Sequence, residues 1–290
     1  MDDRRTFIKK SGTFAIGSLF LSSVMSCAKE KTKEIGLQIY SVRNQLKEDL
    51  KGTLKQIAKI GYKWIELADY RNGKFYDKSP ADFKKLVNDL GMEIISSHTG
   101  VEIKGVGMGN PEKIANAHAE LGAKYVIKPR LAEERRVSAD SYKEVAEELN
   151  KIGEIMKSRG LKFGYHNHDF EFESVDGSIP YDILLSETDK ELVTFEIDLY
   201  WIKKAGKNAI DYFNKYPGRF ELYHIKDMDN TEESYFTEVG TGIINFEELF
   251  ACKNIAGMKY FFIEQDNYRN YTPLESIKIS FDYLNSCDFI

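Results

Sequence analysis

From Ile35 to the C-terminus, short apolar runs alternate with amphipathic segments, and no Pro- or Ser-rich linker interrupts them. Strands are expected at Ile35–Tyr40, Trp64–Leu67, Met92–Ser97 and Tyr125–Ile127, from Leu161, and at Val193–Ile197, Glu221–Ile225 and Tyr260–Ile263. Apolar residues at helical spacing (Leu50, Leu54, Ile57) predict a helix over Leu46–Ile60, stopped by Gly61. Proline near the first turn and glycine past the last predict helices over Pro80–Leu90 and Pro111–Leu121. Further helices are expected over Asp140–Ser158, Ile179–Glu187, Ala209–Lys215, Phe246–Ala251 and Leu274–Leu284. Strict alternation implies a parallel sheet. Eight units of roughly 32 residues imply a closed (β/α)8 barrel formed by residues 35–290 as one domain. The alternative, an open doubly wound sheet, would bring a glycine-rich phosphate turn after the first strand. Gln38-Ile39-Tyr40-Ser41-Val42-Arg43 is no such turn, and Gly105–Gly109 reads as a flexible loop after the third strand.

In a barrel of this kind the chemistry collects at the carboxyl ends of the strands. Those positions read Gln38, Glu66, His98, Lys128, His166 with His168, Asp198, His224 and Glu264. A polar or charged residue at one strand end is ordinary; a run of them around the barrel is not. His166 and His168 are two apart and share a face. They suit a metal or a polar substrate, or they are hydrogen-bonded loop histidines. Asp198, His224 and Glu264 with one imidazole from the fifth strand would form a mixed N/O site. Such a set suits Mn2+, Zn2+, Co2+ or Fe2+ better than Ca2+.

Net charge is −5, and the 41 basic residues are scattered, so there is no electrostatic footprint for nucleic acid. The start of the chain carries a different message. Asp3-Arg4-Arg5-Thr6-Phe7-Ile8-Lys9 resembles a twin-arginine export signal, followed by a weakly apolar run too short to span a bilayer. Val24-Met25-Ser26-Cys27 resembles a lipobox. Residues 1–27 therefore read as a signal region with Cys27 as the lipid-anchor site, and 28–34 as a tether. The expected location is periplasmic or membrane-anchored on the exported side. Cys252 and Cys287 remain in the mature chain and read as buried thiols rather than metal ligands. A homo-oligomer is compatible with this composition but not specified by it.

The residues taken together resemble the sugar phosphate isomerase/epimerase family, the xylose isomerase-like barrels. That family includes hexulose 3-epimerases, hydroxypyruvate isomerase, inosose dehydratase and, more distantly, endonuclease IV. The resemblance runs from Ile35 to the C-terminus. It is carried by Gly36-Leu37-Gln38-Ile39-Tyr40-Ser41, Trp64-Ile65-Glu66-Leu67, His98, Tyr165-His166-Asn167-His168, Ile197-Asp198-Leu199-Tyr200-Trp201, His224-Ile225-Lys226-Asp227, Gly240-Thr241-Gly242 and Ile263-Glu264. In the family a divalent metal is usually held by Glu, Asp, His and Glu from strands five to eight. Asp198, His224 and Glu264 match; at strand five His166 stands where the family has Glu. The two-carboxylate epimerase arrangement is thereby broken. The endonuclease branch fits badly, because its second histidine falls on Trp201 and the basic face is missing.

The resemblance implies a divalent-metal-dependent sugar isomerase or epimerase that abstracts an α-proton next to a carbonyl and proceeds through an enediolate. The alternatives are a lyase or dehydratase eliminating a β-substituent from a 3-keto sugar or glycoside, and a non-catalytic carbohydrate-binding lipoprotein. Candidate metal ligands are His166 (or His168), Asp198, His224 and Glu264, and candidate catalytic groups Glu264, His166 and Lys226. Lys226 contacts substrate or pairs with Asp227. Substrate contacts are expected from Gln38, Tyr40, Glu66, His98, Lys128, His168 and Trp201, with Tyr40 and Trp201 as an aromatic wall or as core. A phosphate clamp would come from Lys128, Arg130, Arg135 and Arg136, although a basic loop is more often simply solvated; the expected substrate is a non-phosphorylated sugar. His118 reads as structural. The anchor is directly testable: Cys27→Ser should move the protein from the membrane to the soluble fraction and abolish incorporation of labelled palmitate. Unchanged fractionation and labelling would remove the lipoprotein reading.

Overall fold

The structure, a computed structural model, describes residues 33–101 and 109–290. The export signal, Cys27, most of the tether and residues 105–108 of the glycine loop lie outside the described residues. Eight parallel strands close a barrel: β1 (Gly36–Gln38), β2 (Trp64–Leu67), β3 (Glu93–His98), β4 (Tyr125–Lys128), β5 (Lys162–His166), β6 (Val193–Asp198), β7 (Leu222–Ile225) and β8 (Tyr260–Ile263). Each pairs with its neighbour in the chain, and β1 returns to β8 through Gly36–Phe262 and Leu37–Ile263.

The outer helices begin where local chemistry starts them. Pro80, Pro111, Pro180 and Pro273 each occupy a first turn, where a missing N–H costs nothing. Ser79, Asn110, Ser138 and Thr272 accept from backbone N–H groups that would otherwise be orphaned. The first expected helix divides into Arg43–Glu48 and Leu50–Ile60, because Asp49 leaves the helical conformation and its carboxylate caps Gly52 N. A short helix, Leu199–Lys204, and two small hairpins (Tyr70–Arg71 with Lys74–Phe75, Asp227–Met228 with Phe236–Thr237) are additions that periodicity does not reveal, being too short to show a repeated pattern. Cys252 and Cys287 are free but only half-buried, which corrects the buried reading: both follow short or terminal helical ends rather than lying on a core face.

Strand alternation sorts the barrel residues into outside and inside. Leu37, Ile65, Val126, Phe163, Ile197, Tyr223 and Ile225 pack outward in the main core between sheet and helices. Ile95, Tyr125, Ile127, Leu222 and Phe262 form a separate cluster that fills the amino-terminal half of the barrel. Gly36 makes room for one of them: a Cβ there would lie 2.5 Å from the Phe262 ring. Above this plug the inward residues turn polar. Gln38, Glu66, Glu196 and His224 are fully buried, and His98, His166, Asp198, Lys226 and Glu264 follow toward the carboxyl end.

One register irregularity matters for what comes next. Between β2 and β3 the pairing runs Ile65–Ile94 and then Glu66–Ser96, so Ile95 is an extra residue. A bulge of this sort inverts the side-chain alternation beyond it. Ile95 faces the barrel interior, and so does His98, three residues on; Ser97 and Thr99 point outward, toward the ring of His118. His118, buried in Pro111–Leu121 between Thr99 Oγ1 and Ile114 O, is a packed histidine.

The loop after β7 is gathered by Asp227. Its carboxylate accepts from the backbone N–H of Met228, Gly240, Gly242 and Ile244. Gly242 is needed there, since a Cβ would meet Met228 O at 2.2 Å. Asp227 is therefore not the partner of Lys226. Asp227→Ala removes the shared acceptor of four backbone donors, Met228 buried and Ile244 half-buried among them, and should cost about 3 kcal/mol, read as a lowered denaturation midpoint with early proteolysis in 229–245. A midpoint within experimental error of wild type would refute this account of the loop.

Candidate functional site

The carboxyl end of the barrel opens into a cavity of about 820 Å³ whose floor is formed by His98, His166, Lys226 and Glu264. Ladder register explains why the floor residues meet. Asp198 pairs with His224 across β6 and β7, and His166 with Glu196 across β5 and β6. Partners in a parallel ladder point to the same face, so adjacent strands deliver adjacent side chains. One donor atom each from His166, Asp198, His224 and Glu264 lies within 4.8 Å of the others.

Each donor is oriented by a specific neighbour. Asp198 spends Oδ1 on the N–H groups of Tyr200 and Trp201, capping the helix Leu199–Lys204, and leaves Oδ2 toward the floor. Its two roles, cap and site residue, are compatible because they use different oxygens. His166 Nδ1 lies 3.2 Å from Pro129 O, an acceptor only, so Nδ1 must carry the proton. The bare Nε2 then faces Asp198 Oδ2 at 3.3 Å, lone pair against carboxylate. His224 places Nε2 at 2.6 Å from Glu66 Oε2 and 3.2 Å from Glu196 Oε2, while Nδ1 is buried without a hydrogen-bond partner, 2.8 Å from Glu264 Oε2. The bare Nε2 of His166 aimed at a carboxylate is the arrangement a cation resolves; at His224 burial opposes the charge, but Glu196, Glu264 and Glu66 hold the ring well above the usual histidine range, so a cation there takes the place of a proton. The donors are two imidazole nitrogens and two carboxylates, a set that could hold a metal ion, with Glu66 and Glu196 fixing the His224 ring from behind.

Lys226 stands among the same carboxylates, 3.0 Å from Asp198 Oδ2, 2.7 Å from Glu264 Oε2 and 2.9 Å from Asp266 Oδ2. Burial opposes its charge, but Asp198 and Asp266 hold it well above the usual lysine range. Burial likewise opposes ionisation of Glu264, yet Lys226 and His224 keep it well below the usual carboxylate range. Burial, with His224 and His98 beside it, pushes His166 well below its ordinary value, and burial with Lys226 pushes His168 down to about 3. Both rings are therefore neutral near pH 7.

The expected substrate contacts divide by position. Tyr40, His98, His168 and Trp201 line the cavity. Gln38 and Glu66 lie fully buried beneath it, Gln38 Nε2 donating to Glu66 at 2.8 Å. Lys128 is one residue out of step with the inward Tyr125 and Ile127 and donates to Val101 O. Arg135 pairs with Glu148, and Arg136 bonds Leu131 O and covers the Phe170 ring, so of the four cations considered for a phosphate only Arg130 lines the cavity. Of the two strand-five histidines, His166 joins the donor cluster; His168 lies beside Trp201 on the wall. Two residues of the site are missing from the strand-end reading. Glu196 lies two positions before Asp198 and Asp266 two after Glu264, so period-two alternation, carried one step further in each direction, points to both.

The fold and floor thus define a (β/α)8 barrel with a buried His/Asp/Glu site at its carboxyl end. Residues 54–287 match the family model for the xylose isomerase-like TIM barrel. A sugar phosphate isomerase/epimerase from Parabacteroides distasonis superposes with a TM-score of 0.81 at 31% identity, covering 91% of this chain and 97% of that one. An inosose dehydratase from Clostridium beijerinckii is 24% identical over 256 residues, 77% of this chain and 80% of its own. The IOLI protein, solved with a bound zinc atom, shares the fold at 17% identity and a TM-score of 0.68, over 89% of this chain and 98% of its own. The chain belongs to the xylose isomerase-like TIM-barrel family, that of the sugar phosphate isomerases/epimerases.

Lys226 is the one fixed cation in this floor among the described residues. Lys226→Met should destabilise the metal-free protein by about 3–5 kcal/mol, because it strands buried carboxylates. Added divalent cation should raise the melting temperature more in the variant than in wild type. Equal metal-induced shifts would mean that lysine and metal do not share these carboxylates.

Proposed function

We propose that the protein is a divalent-metal-dependent sugar enzyme that removes the proton next to a carbonyl and then eliminates a β-substituent, as a lyase or dehydratase. The observation that carries this reading is the floor itself: one ionised carboxylate, Glu264, beside a buried lysine, with an imidazole where a second carboxylate would serve the opposite face. Epimerisation asks for two proton-exchanging groups of similar strength on opposite faces; elimination asks for one base and one acid. The inosose dehydratase relatives are in keeping with the second demand.

His166, Asp198, His224 and Glu264 would hold the metal, with Zn2+, Mn2+, Co2+ or Fe2+ suited to two nitrogens and two carboxylates. A divalent cation there supplies Lewis acidity toward the carbonyl and a neighbouring hydroxyl. The chain's own groups do the rest. Glu264, kept ionised by Lys226 and His224, accepts the α-proton on Oε2. The electron pair left on carbon forms the double bond as the β C–O bond breaks. Lys226 Nζ offers positive charge and a proton to the departing oxygen, and Asp198 and Asp266 keep it protonated until then. Tyr40, Trp201, Phe170 and Phe236 line the cavity and suit the C–H faces of a sugar ring. Arg130 of the basic loop lines the cavity together with Arg43, Arg71 and Lys204, so the reading as a non-phosphorylated sugar rests on the setting rather than on a shortage of cations. An exported, lipid-anchored setting, read from Arg4, Arg5 and Cys27, suits such a substrate.

Metal-loaded protein incubated with keto sugars and 3-keto glycosides in deuterated water should exchange the α-proton and release an unsaturated ketone, followed by NMR. Glu264→Gln should slow exchange by roughly 10²–10⁴-fold, and chelation should abolish it. Exchange with recovery of an isomer would turn the reading to isomerase or epimerase. Tight sugar binding without exchange for any of the panel would turn it to a carbohydrate-binding protein.

A further inference from the structure

A barrel of this class normally fills its interior with layers of branched apolar side chains. Here the layer directly below the floor is charged. Glu66 and Glu196 are both fully buried, and the two carboxylates converge on the same pair of rings. His98 Nε2 lies 2.6 Å from Glu196 Oε2 and 3.4 Å from Glu66 Oε2; His224 Nε2 lies 2.6 Å from Glu66 Oε2 and 3.2 Å from Glu196 Oε2. Four donor atoms from β2, β3, β6 and β7 therefore form a closed ring of two oxygens and two nitrogens. Glu66 Oε1 and Glu196 Oε1 are, in addition, buried without any hydrogen-bond partner.

Charge makes the layer harder to explain without an ion. Glu66, Glu196, Asp198, Glu264 and Asp266 bring five carboxylates into one connected cluster, against the single fixed charge of Lys226. Counted with neutral rings, one divalent cation at the floor leaves two negative charges unmatched, and of the five carboxylates only Asp266 is appreciably exposed to the cavity. Buried charges persist when they are paired or coordinate metal. A second divalent cation, bridged to the first by His224 as an imidazolate, brings the cluster to a single negative charge.

We propose that a second divalent cation binds below the floor, held by Glu66, His98, Glu196 and Nε2 of His224, the His224 ring giving its proton to solvent and bridging to the floor ion through Nδ1. The donor set matches zinc or a similar first-row ion, whose bonds of about 2.0–2.1 Å need ligands roughly 3.3 Å apart; the ring must open by some tenths of an ångström at its two shortest edges. Gln38, donating to Glu66, holds that carboxylate in place from the side of β1. The inner ion would sit away from the sugar, and the proposal is independent of which reaction the floor performs.

The test counts metal rather than turnover. The full chain, stripped with chelator and dialysed against zinc, should retain two zinc ions per chain by elemental analysis. Glu196→Gln should retain one, and so should Asp198→Asn, the two variants losing different ions. Anomalous diffraction from zinc-loaded wild-type crystals should show two peaks, one of them within coordination distance of His98 Nε2 and a Glu196 oxygen. A single zinc that survives Glu196→Gln and disappears in Asp198→Asn would overturn the proposal; protons on His98 and His224 would then neutralise the layer. If Glu196→Gln fails to fold, the wild-type map decides alone: one peak, at the floor, refutes the inner site. Neither result depends on a sugar, so failure of the elimination reading leaves this outcome readable.

Discussion

The structure depends on keeping a block of negative charge inside a closed barrel. A parallel barrel has no polar backbone to spare, since every strand pairs on both sides, so the carboxylates at its centre can be balanced only by side chains or by ions. Lys226, reaching from the residue after β7 to Asp198, Glu264 and Asp266, supplies one charge. The imidazoles of His98, His166 and His224 supply nitrogen donors within reach of the rest, their ring centres 4.7 to 5.0 Å apart, with His98 stacked on His224 and His166 edge-on to both. Their closeness is informative: three rings held this near one another would repel as imidazolium ions, which burial already disfavours for His166. Around His98 and His224 the carboxylates outweigh burial and raise both rings, so the negative charge there is met by ring protons or by a cation that replaces them.

The apolar plug below and the cavity above divide the work. Ile95, Ile127, Leu222 and Phe262 close the amino-terminal half of the barrel, so the polar layers have one exit. At that exit aromatic rings (Tyr40, Phe170, Trp201, Phe236) and cations (Arg43, Arg71, Arg130, Lys204) line the walls above an ionic floor. An imidazole, His166, at the end of β5 fits the same electrostatics. Adding another carboxylate to a site that already holds five would deepen the deficit, whereas a neutral ring gives a ligand without charge.

Much of this was legible in the chain. The eight barrel strands fall within a residue or two of their expected ends at most positions, because each is an apolar run bounded by a helix stop. Glu264 stands out as the first polar residue after such a run, and Asp198 and His224 as polar residues at or next to the ends of theirs. Helix starts were legible for the same local reason, a proline or a capping side chain at the first turn. What escaped notice was short or non-local. The helix Leu199–Lys204 and the hairpins are too short to repeat an apolar pattern, and the break at Asp49 is a capping event inside an otherwise continuous pattern. Glu196 and Asp266 were hidden by attention to strand ends alone.

The sequence by itself determined the alternation of strand and helix, hence a closed barrel, and which residue types stand at its carboxyl mouth, because both follow from local hydrophobic periodicity. Only the tertiary structure decided which of those residues meet. The bulge at Ile95 turns His98 inward, ladder register brings Asp198 against His224, and alternation sends Lys128 outward although it too ends a strand. The physical reason is that one residue of register reverses every side chain beyond it. That reversal is set by pairing between strands, which no single stretch of chain contains.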